Sequence, residues 1–188
     1  FMSVKINYKN SSVKKNLSNL VLFSDEKFNI SALKKHISST EYSYISDLIK
    51  TRDLKKKILS FDLNSKRKII LVSLSKSITI SDVENLGANF YVLFKDSKKN
   101  EYNLDSNTYT GEIKNFVGHF LHGLKLKSYT FDKYKTKKNK NNINIFVTGK
   151  NIPSNKDQIK FKAIEDGTFY TRDLVSEPGN ILHPDEYA

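Results

Sequence analysis

The sequence predicts a layered α/β domain, with helices on both faces of a mostly parallel central sheet of about five or six strands. Three observations predict it. Short apolar runs recur along the 188 residues; residues 20–23 are continuous, the pattern of a strand covered on both faces, and residues 68–74 read as the clearest buried strand. Between such runs lie segments whose apolar residues follow helical spacing, and strands alternating with helices imply a parallel sheet between helical layers. A hydrophobic content of 38% over this length suffices for one sizeable core.

The elements follow in order. Phe1 reads as an added residue and Met2 as the natural start. Val4, Ile6 and Tyr8 alternate with Lys5, Asn7 and Lys9, a half-buried strand near a sheet edge. Residues 20–23 form an interior strand. Residues 29–39 hold a short helical turn with Ile30, Leu33 and Ile37 inward. Thr40 is expected to cap a helix reaching about Lys50, with Tyr42, Ile45, Leu48 and Ile49 on one face. Residues 58–63 and 68–74 are strands. Ser81 and Glu84 have the spacing of a capping box, opening a helix with Val83, Leu86, Phe90, Leu93 and Phe94 inward. Residues 102–104 form a short strand. Thr110 is expected to open a helix with Ile113, Phe116, Val117, Phe120, Leu121 and Leu124 inward. Residues 133–142 form a lysine-rich loop, and residues 143–147 an interior strand ended by Gly149. After Asn151, Ile152, Pro153 and Ser154, a long helix runs to about Val175 and stops at Glu177, Pro178 and Gly179. His183, Pro184, Asp185 and Glu186 have the character of a new helix start.

Composition limits the chemistry. The absence of cysteine removes disulfides, thiolate metal sites and a cysteine nucleophile, and fits a reducing cytosol. No early apolar stretch has the form of a signal peptide, and no run approaches the ~18–20 residues of a membrane span. The net charge is +12, but among the 32 basic residues arginine occurs only at Arg52, Arg67 and Arg172. Arginine is the preferred reader of phosphate and guanine, so a lysine surplus is weaker evidence for nucleic acid than the charge itself. His119 and His122 stand three apart on a predicted helix, without the further ligands that a metal site demands, and read as partly exposed helix residues. Glu165 and Asp166 read as solvated helix charges, and Asp173 and Glu177 as surface charges or a junction at the helix end. Glycine-rich phosphate loops and a GxSxG elbow are absent. The strongest binding signal is basic: Lys125, Lys127, Lys133, Lys135, Lys137, Lys138 and Lys140, interleaved with Tyr129, Phe131 and Tyr134. Aromatics among lysines can stack bases while the charges meet phosphate; equally, they can pack beneath an exposed lysine loop.

Two stretches carry a resemblance. Residues 122–135, HGLKLKSYTFDKYK, resemble a segment of leucyl aminopeptidases in which a glycine-containing helix end precedes Tyr-x-Phe-Asp-x-Tyr-Lys. Residues 163–184, AIEDGTFYTRDLVSEPGNILHP, are similar to that family's interdomain helix and its Arg-Asp-Leu-Val-Asn-Glu-Pro signature, with Ser176 in place of the usual asparagine. His122 likewise stands where an acidic residue is common. The resemblance is specific from about Thr110 onward and looser before it.

What the resemblance implies is the N-terminal domain of a cytoplasmic leucyl aminopeptidase. Its fold would be three-layered and macro-domain-like over residues 2–150. Residues 151–188 would be the interdomain linking helix and the start of a catalytic domain that this chain lacks. The parent enzyme would remove N-terminal amino acids, leucine preferred, from peptides. It would use two divalent ions (Mn, Zn or Mg) to polarise the scissile carbonyl and supply a hydroxide, and would assemble as a homohexamer. No catalytic residue, cofactor-binding residue or metal ligand is carried onto this chain, which alone is expected to be inactive and could be monomeric. Arg172, Asp173 and Glu177 fall in the signature and read as structural. The alternative is a binding module for nucleic acid or a nucleotide-type ligand, centred on Lys125 to Lys140, without a membrane role.

Overall fold

The computed structural model describes residues 4–8, 19–136 and 142–178. Six strands form one sheet: β1 (Val4–Tyr8), β2 (Asn19–Asp25), β3 (Ile58–Asn64), β4 (Arg67–Leu74), β5 (Glu101–Asp105) and β6 (Ile143–Thr148). Their order is β1-β6-β5-β2-β4-β3. Every neighbouring pair is parallel except the β3–β4 hairpin. Four helices complete the domain: α1 (Ser39–Ile49), α2 (Ile80–Phe94), α3 (Phe116–Lys127) and α4 (Asn155–Ser176). The expected three-layer α/β architecture is therefore present.

Alternation along the interior strands divides the core. In β2, Leu20 and Leu22 join Phe61, Ile69 and Leu71 beneath α1 and a short 3-10 helix at Ser31–Lys35. Val21 and Phe23 face the other way, into Phe90, Phe116, Phe120 and Leu124 of α2 and α3. Each fully buried apolar side chain contributes roughly 1.5–3 kcal/mol, so both layers are needed to cover β2 and β4. On the second face the rings meet edge to face: Phe23 lies 4.9 Å from Phe116 and 5.7 Å from Phe120 between centroids.

Helices α2 and α3 touch backbone to backbone. A Cβ at Gly87 would fall 1.8 Å from the Phe120 carbonyl oxygen, and one at Gly123 1.9 Å from that of Glu84. Glycine at both positions permits this approach. Helix α4 then lies on α3, as the outermost element of that face.

Several expected boundaries move. The cap of α1 is Ser38, not Thr40: its side chain accepts the Glu41 N–H while Glu41 accepts the Ser38 N–H. In α2 the box is Thr79 with Asp82, not Ser81 with Glu84; the Ser/Thr-x-x-acid spacing occurs there too, two residues earlier. Leu93 is 58% exposed, because Val83, Leu86, Phe90 and Phe94 already fill the inner stripe. Helix α3 begins at Phe116 rather than Thr110. Asn115, at φ 55, holds the left-handed conformation, which interrupts a right-handed helix at that residue, and Ile113 instead donates its N–H to the Tyr109 hydroxyl at 2.8 Å. The expected features at Phe1, Met2, Lys9, residues 179–188 and residues 137–141 lie outside the described residues. Among the described residues no helix is long and apolar enough to cross a membrane.

Candidate functional site

The side chains singled out in the C-terminal half converge on one place, the seam between α3, the segment following it, and α4. Helix α4 turns Phe161, Glu165, Phe169 and Arg172 inward at three- and four-residue spacing. Glu165 is 2% exposed. One carboxylate oxygen pairs with His122 Nδ1 at 3.0 Å and the other accepts from Lys125 Nζ at 2.8 Å. The Phe161 ring packs on His119 and His122, 5.1 and 5.4 Å between centroids. His119 pairs with Glu84 of α2 at 3.0 Å, so the seam reaches into the α2–α3 pair. Beside Glu165, on β1, burial and then the glutamate's charge push the Tyr8 hydroxyl up to about 12.

The readings of His122 as a partly exposed helix residue and of Glu165 as a solvated helix charge are thus corrected. Both are buried, and they satisfy each other. A buried carboxylate demands this, since leaving it unpaired would cost several kcal/mol, on the order of 3–5. The signal was present in the sequence: Phe161, Glu165 and Phe169, each four apart, mark one inward face, and Asp166 falls outside it.

Further along, the two stretches that carry the family resemblance grip each other. Arg172 Nη1 donates to the Leu126 carbonyl at 2.7 Å, and its guanidinium lies 5.5 Å from the centre of the Tyr129 ring. Tyr129 donates its hydroxyl to Asp173 at 2.8 Å and packs on Phe169. Lys133 donates to Glu177 at 2.6 Å, and Tyr134 donates to the other oxygen of the same carboxylate. These bonds hold the Glu177 carboxyl below its ordinary range, Lys133 contributing most. Asp173 and Glu177 therefore act as the junction at the helix end.

The basic segment looks different in this light. Lys125, Lys133 and Lys135 are paired with Glu165, Glu177 and Asp132, and Phe131 packs against Tyr134. Lys127 is exposed, and Lys137, Lys138 and Lys140 lie outside the described residues. Elsewhere, His36 pairs with Asp105 at 2.8 Å, tying the 3-10 helix to the end of β5. His183 is outside the described residues. Among the described residues no group of three or more His, Asp or Glu side chains is placed to hold a metal ion. The members of the α3–α4 cluster are spent on one another: the arrangement fastens a helix.

What the seam leaves uncovered is the outer face of α4. Ile159 is 70% exposed, Tyr170 66% and Val175 78%, with Ile164 also exposed. Ile159 and Tyr170 share one exposed stripe of the helix and Ile164 and Val175 another, the members of each pair about three turns apart.

No family model matches the chain. Curated relatives do match part of it. A probable cytosol aminopeptidase of Phytoplasma australiense is 42% identical over 75 residues, 38% of this chain and 15% of the relative. That of Sinorhizobium fredii (strain NBRC 101917 / NGR234) is 36% identical over 77 residues, 37% of this chain and 16% of the relative. That of Methylorubrum populi (strain ATCC BAA-705 / NCIMB 13946 / BJ001) is 36% identical over 92 residues, 45% of this chain and 18% of the relative. Among solved structures, a tomato leucine aminopeptidase mutant superposes with a TM-score of 0.76 at 17% identity, over 98% of this chain and 40% of that one. The bottromycin maturation enzyme BotP gives 0.63 at 13% identity, over 90% of this chain and 35% of that one. The matches thus span less than a fifth of the curated relatives and 40% of the tomato enzyme. The chain is thus similar in sequence, over 37–45% of its length, to proteins named cytosol aminopeptidase, and nearly all of it shares a fold with part of a leucine aminopeptidase.

Proposed function

We propose that this chain is the non-catalytic N-terminal domain of a metal-dependent leucyl aminopeptidase, and that α4 is the strut joining it to the catalytic domain. The observation that carries this reading is the two-sided character of α4. One side is bolted to the domain through Glu165, Arg172, Asp173 and Glu177. The other presents Ile159, Ile164, Tyr170 and Val175 with no cover among the described residues. On this reading residues 2–150 form the domain proper and residues 151–188 the link. The parent is a cytoplasmic homohexamer that removes N-terminal residues, leucine preferred, from peptides. The two divalent ions, Mn, Zn or Mg, belong to the catalytic domain, and no chemical step is assigned to this chain.

The test is to express the uninterrupted reading frame beside the 188-residue chain and assay both on leucine p-nitroanilide with added Mn²⁺. The account predicts chelator-sensitive hydrolysis by the product of the whole frame and none by the chain alone. Hydrolysis by the chain alone, or a frame that encodes no metal-binding domain, would overturn it.

A further inference from the structure

Asn19 opens β2 at the amino end of the sheet, with β4 and β5 on either side of it: Leu20 lies opposite Ile69, and Asn19 opposite Tyr102. The residue is 2% exposed, and its side chain joins the segments that lead into both neighbours. Its Oδ1 accepts the Lys68 N–H at 3.2 Å, and its Nδ2 donates to the Lys99 and Glu101 carbonyls at 3.4 and 3.1 Å. One buried amide thus holds the β3–β4 turn against the α2–β5 loop. Because that amide spans both, the Lys68 nitrogen and the Lys99 carbonyl oxygen stand within about 9 Å of each other. That is inside the combined reach of two four-carbon lysine stems.

Between the two segments lies a cavity of about 370 Å³, lined by Lys66, Lys68, Lys98 and Lys99 with Asn64 and Ser97 beside them. Its volume is within the range of small-molecule sites. Asp62 is the one acidic residue of the lining, and it is paired with Lys68 at 3.3 Å. Arg67, which also lines the cavity, is turned to Glu41 at 2.9 Å. Lys66, Lys98 and Lys99 are exposed, and among the described residues no carboxylate lies within ion-pair distance of them. Three like charges gathered on pinned segments repel one another, and an anion seated among them relieves that repulsion.

The lining also limits what the anion carries. Among the described residues no aromatic ring lines the cavity, so nothing there stacks a base. Ammonium groups are compact point charges that suit phosphate oxygens, and here they come from two segments, which suits an anion charged at more than one centre. We propose that this cavity binds a linear inorganic oligophosphate, pyrophosphate or longer. Lys66 takes one phosphate group, and Lys98 and Lys99 take the next. The proposal is independent of the aminopeptidase reading, and either can fail while the other stands.

The test is a two-dimensional amide NMR titration of the 188-residue chain at low salt, without divalent ions, using tripolyphosphate, inorganic phosphate, ATP and a short oligothymidylate. Tripolyphosphate is expected to shift the amides of residues 19, 64–68 and 97–101 saturably. Phosphate should bind at least about fivefold more weakly, the upper end for one exposed ion pair. Lys66→Gln and Lys99→Gln should each weaken tripolyphosphate by about the same factor. Lys55→Gln removes the same charge beyond the other end of β3, which begins at Ile58 opposite Val72, and should leave binding unchanged. All three side chains are exposed, and an unchanged spectrum away from the substitution shows that each variant is folded. ATP, the same phosphate chain carrying a base, should bind no more tightly than tripolyphosphate. Absence of saturable shifts at those residues, equal binding of phosphate, or equal weakening by Lys55→Gln would each overturn the proposal. So would tighter binding there of ATP or the oligothymidylate, which would give the site to nucleotides or nucleic acid instead.

Discussion

Glu165 is the residue on which the α3–α4 seam turns. It is buried with His122 and Lys125 as its partners, so Glu165→Ala leaves the half-buried Lys125 and the buried His122 without their partner and should cost about 3 kcal/mol, the low end for breaking a buried pair. Glu165→Gln keeps one acceptor oxygen for Lys125 but loses the charge and the second acceptor, and should cost about 1–3 kcal/mol. Urea unfolding of the two variants checks the order; equal and negligible losses would mean the cluster is not buried in solution. Tyr8 gives the same seam an alkaline signature. Its folded hydroxyl titrates at about 12, while an unfolded tyrosine titrates near ~10. Between those values the unfolded chain releases the proton and the folded chain retains it, so stability falls as pH rises through that window. Tyr8→Phe should therefore show a shallower loss of urea midpoint from pH 9 upward than the parent sequence, and an unchanged slope would remove Tyr8 from the seam. Glu165 was not legible when read beside Asp166 as a pair of charges. A carboxylate's burial depends on which helix face meets the protein, and only the flanking Phe161 and Phe169 reveal that.

Among the elements, the strands were the most legible. Residues 20–23 and 69–72 are continuous apolar runs, and residues 143–147 are broken only by Asn144, because both faces of an interior strand are covered; all three segments are interior strands. Helix starts were less so, because serine and threonine are common here and several candidate boxes overlap; only the backbone decides that Ser38 and Thr79 are the caps. The close crossing of α2 and α3 was not foreseen at all, since a glycine inside a helix does not announce a neighbour. Gly87→Ala should destabilise the domain by about 1–3 kcal/mol, the cost of overpacking, and by more if the helices cannot part, since the new methyl would meet backbone rather than a movable side chain. Thermal unfolding measures it; a variant as stable as the parent would contradict the backbone contact. At the end of α4, the Glu177 carboxyl is depressed by Lys133 and Tyr134. A depressed carboxyl stabilises above its unfolded value, and that contribution is lost as pH falls through the folded one. Asp82 and Asp157, depressed by their capping partners Thr79 and Ser154, loosen the starts of α2 and α4 in the same acidic window. Hydrogen exchange should therefore show residues 170–177 losing protection in acid, and Glu177→Gln should show that loss already at neutral pH. Protection unaffected by Glu177→Gln would mean that the clamp does not hold the helix end.

At the scale of the whole molecule, the layers divide the labour. The sheet, α1, α2 and α3 hold most of the two hydrophobic clusters, and α4 packs outside them with Glu165 as its buried residue. The family resemblance read from residues 122–135 and 163–184 gains a physical content here, because the two stretches are partners in space: Tyr129, Lys133 and Tyr134 from one meet Arg172, Asp173 and Glu177 from the other. Such pairing was invisible in the sequence, where they stand some forty residues apart, and it required the fold to bring them together. The central claim is that this grip aims a strut whose outer face is covered by the rest of the parent enzyme. The chain contains no cysteine, so single thiols at Ile159→Cys and Tyr170→Cys report on that face directly. The measurement is their alkylation rate, followed by mass spectrometry of the α4 peptides, in the 188-residue chain and in the product of the whole reading frame. The account predicts rapid labelling in the chain alone and strong protection in the whole protein; equal rapid labelling in both would contradict it.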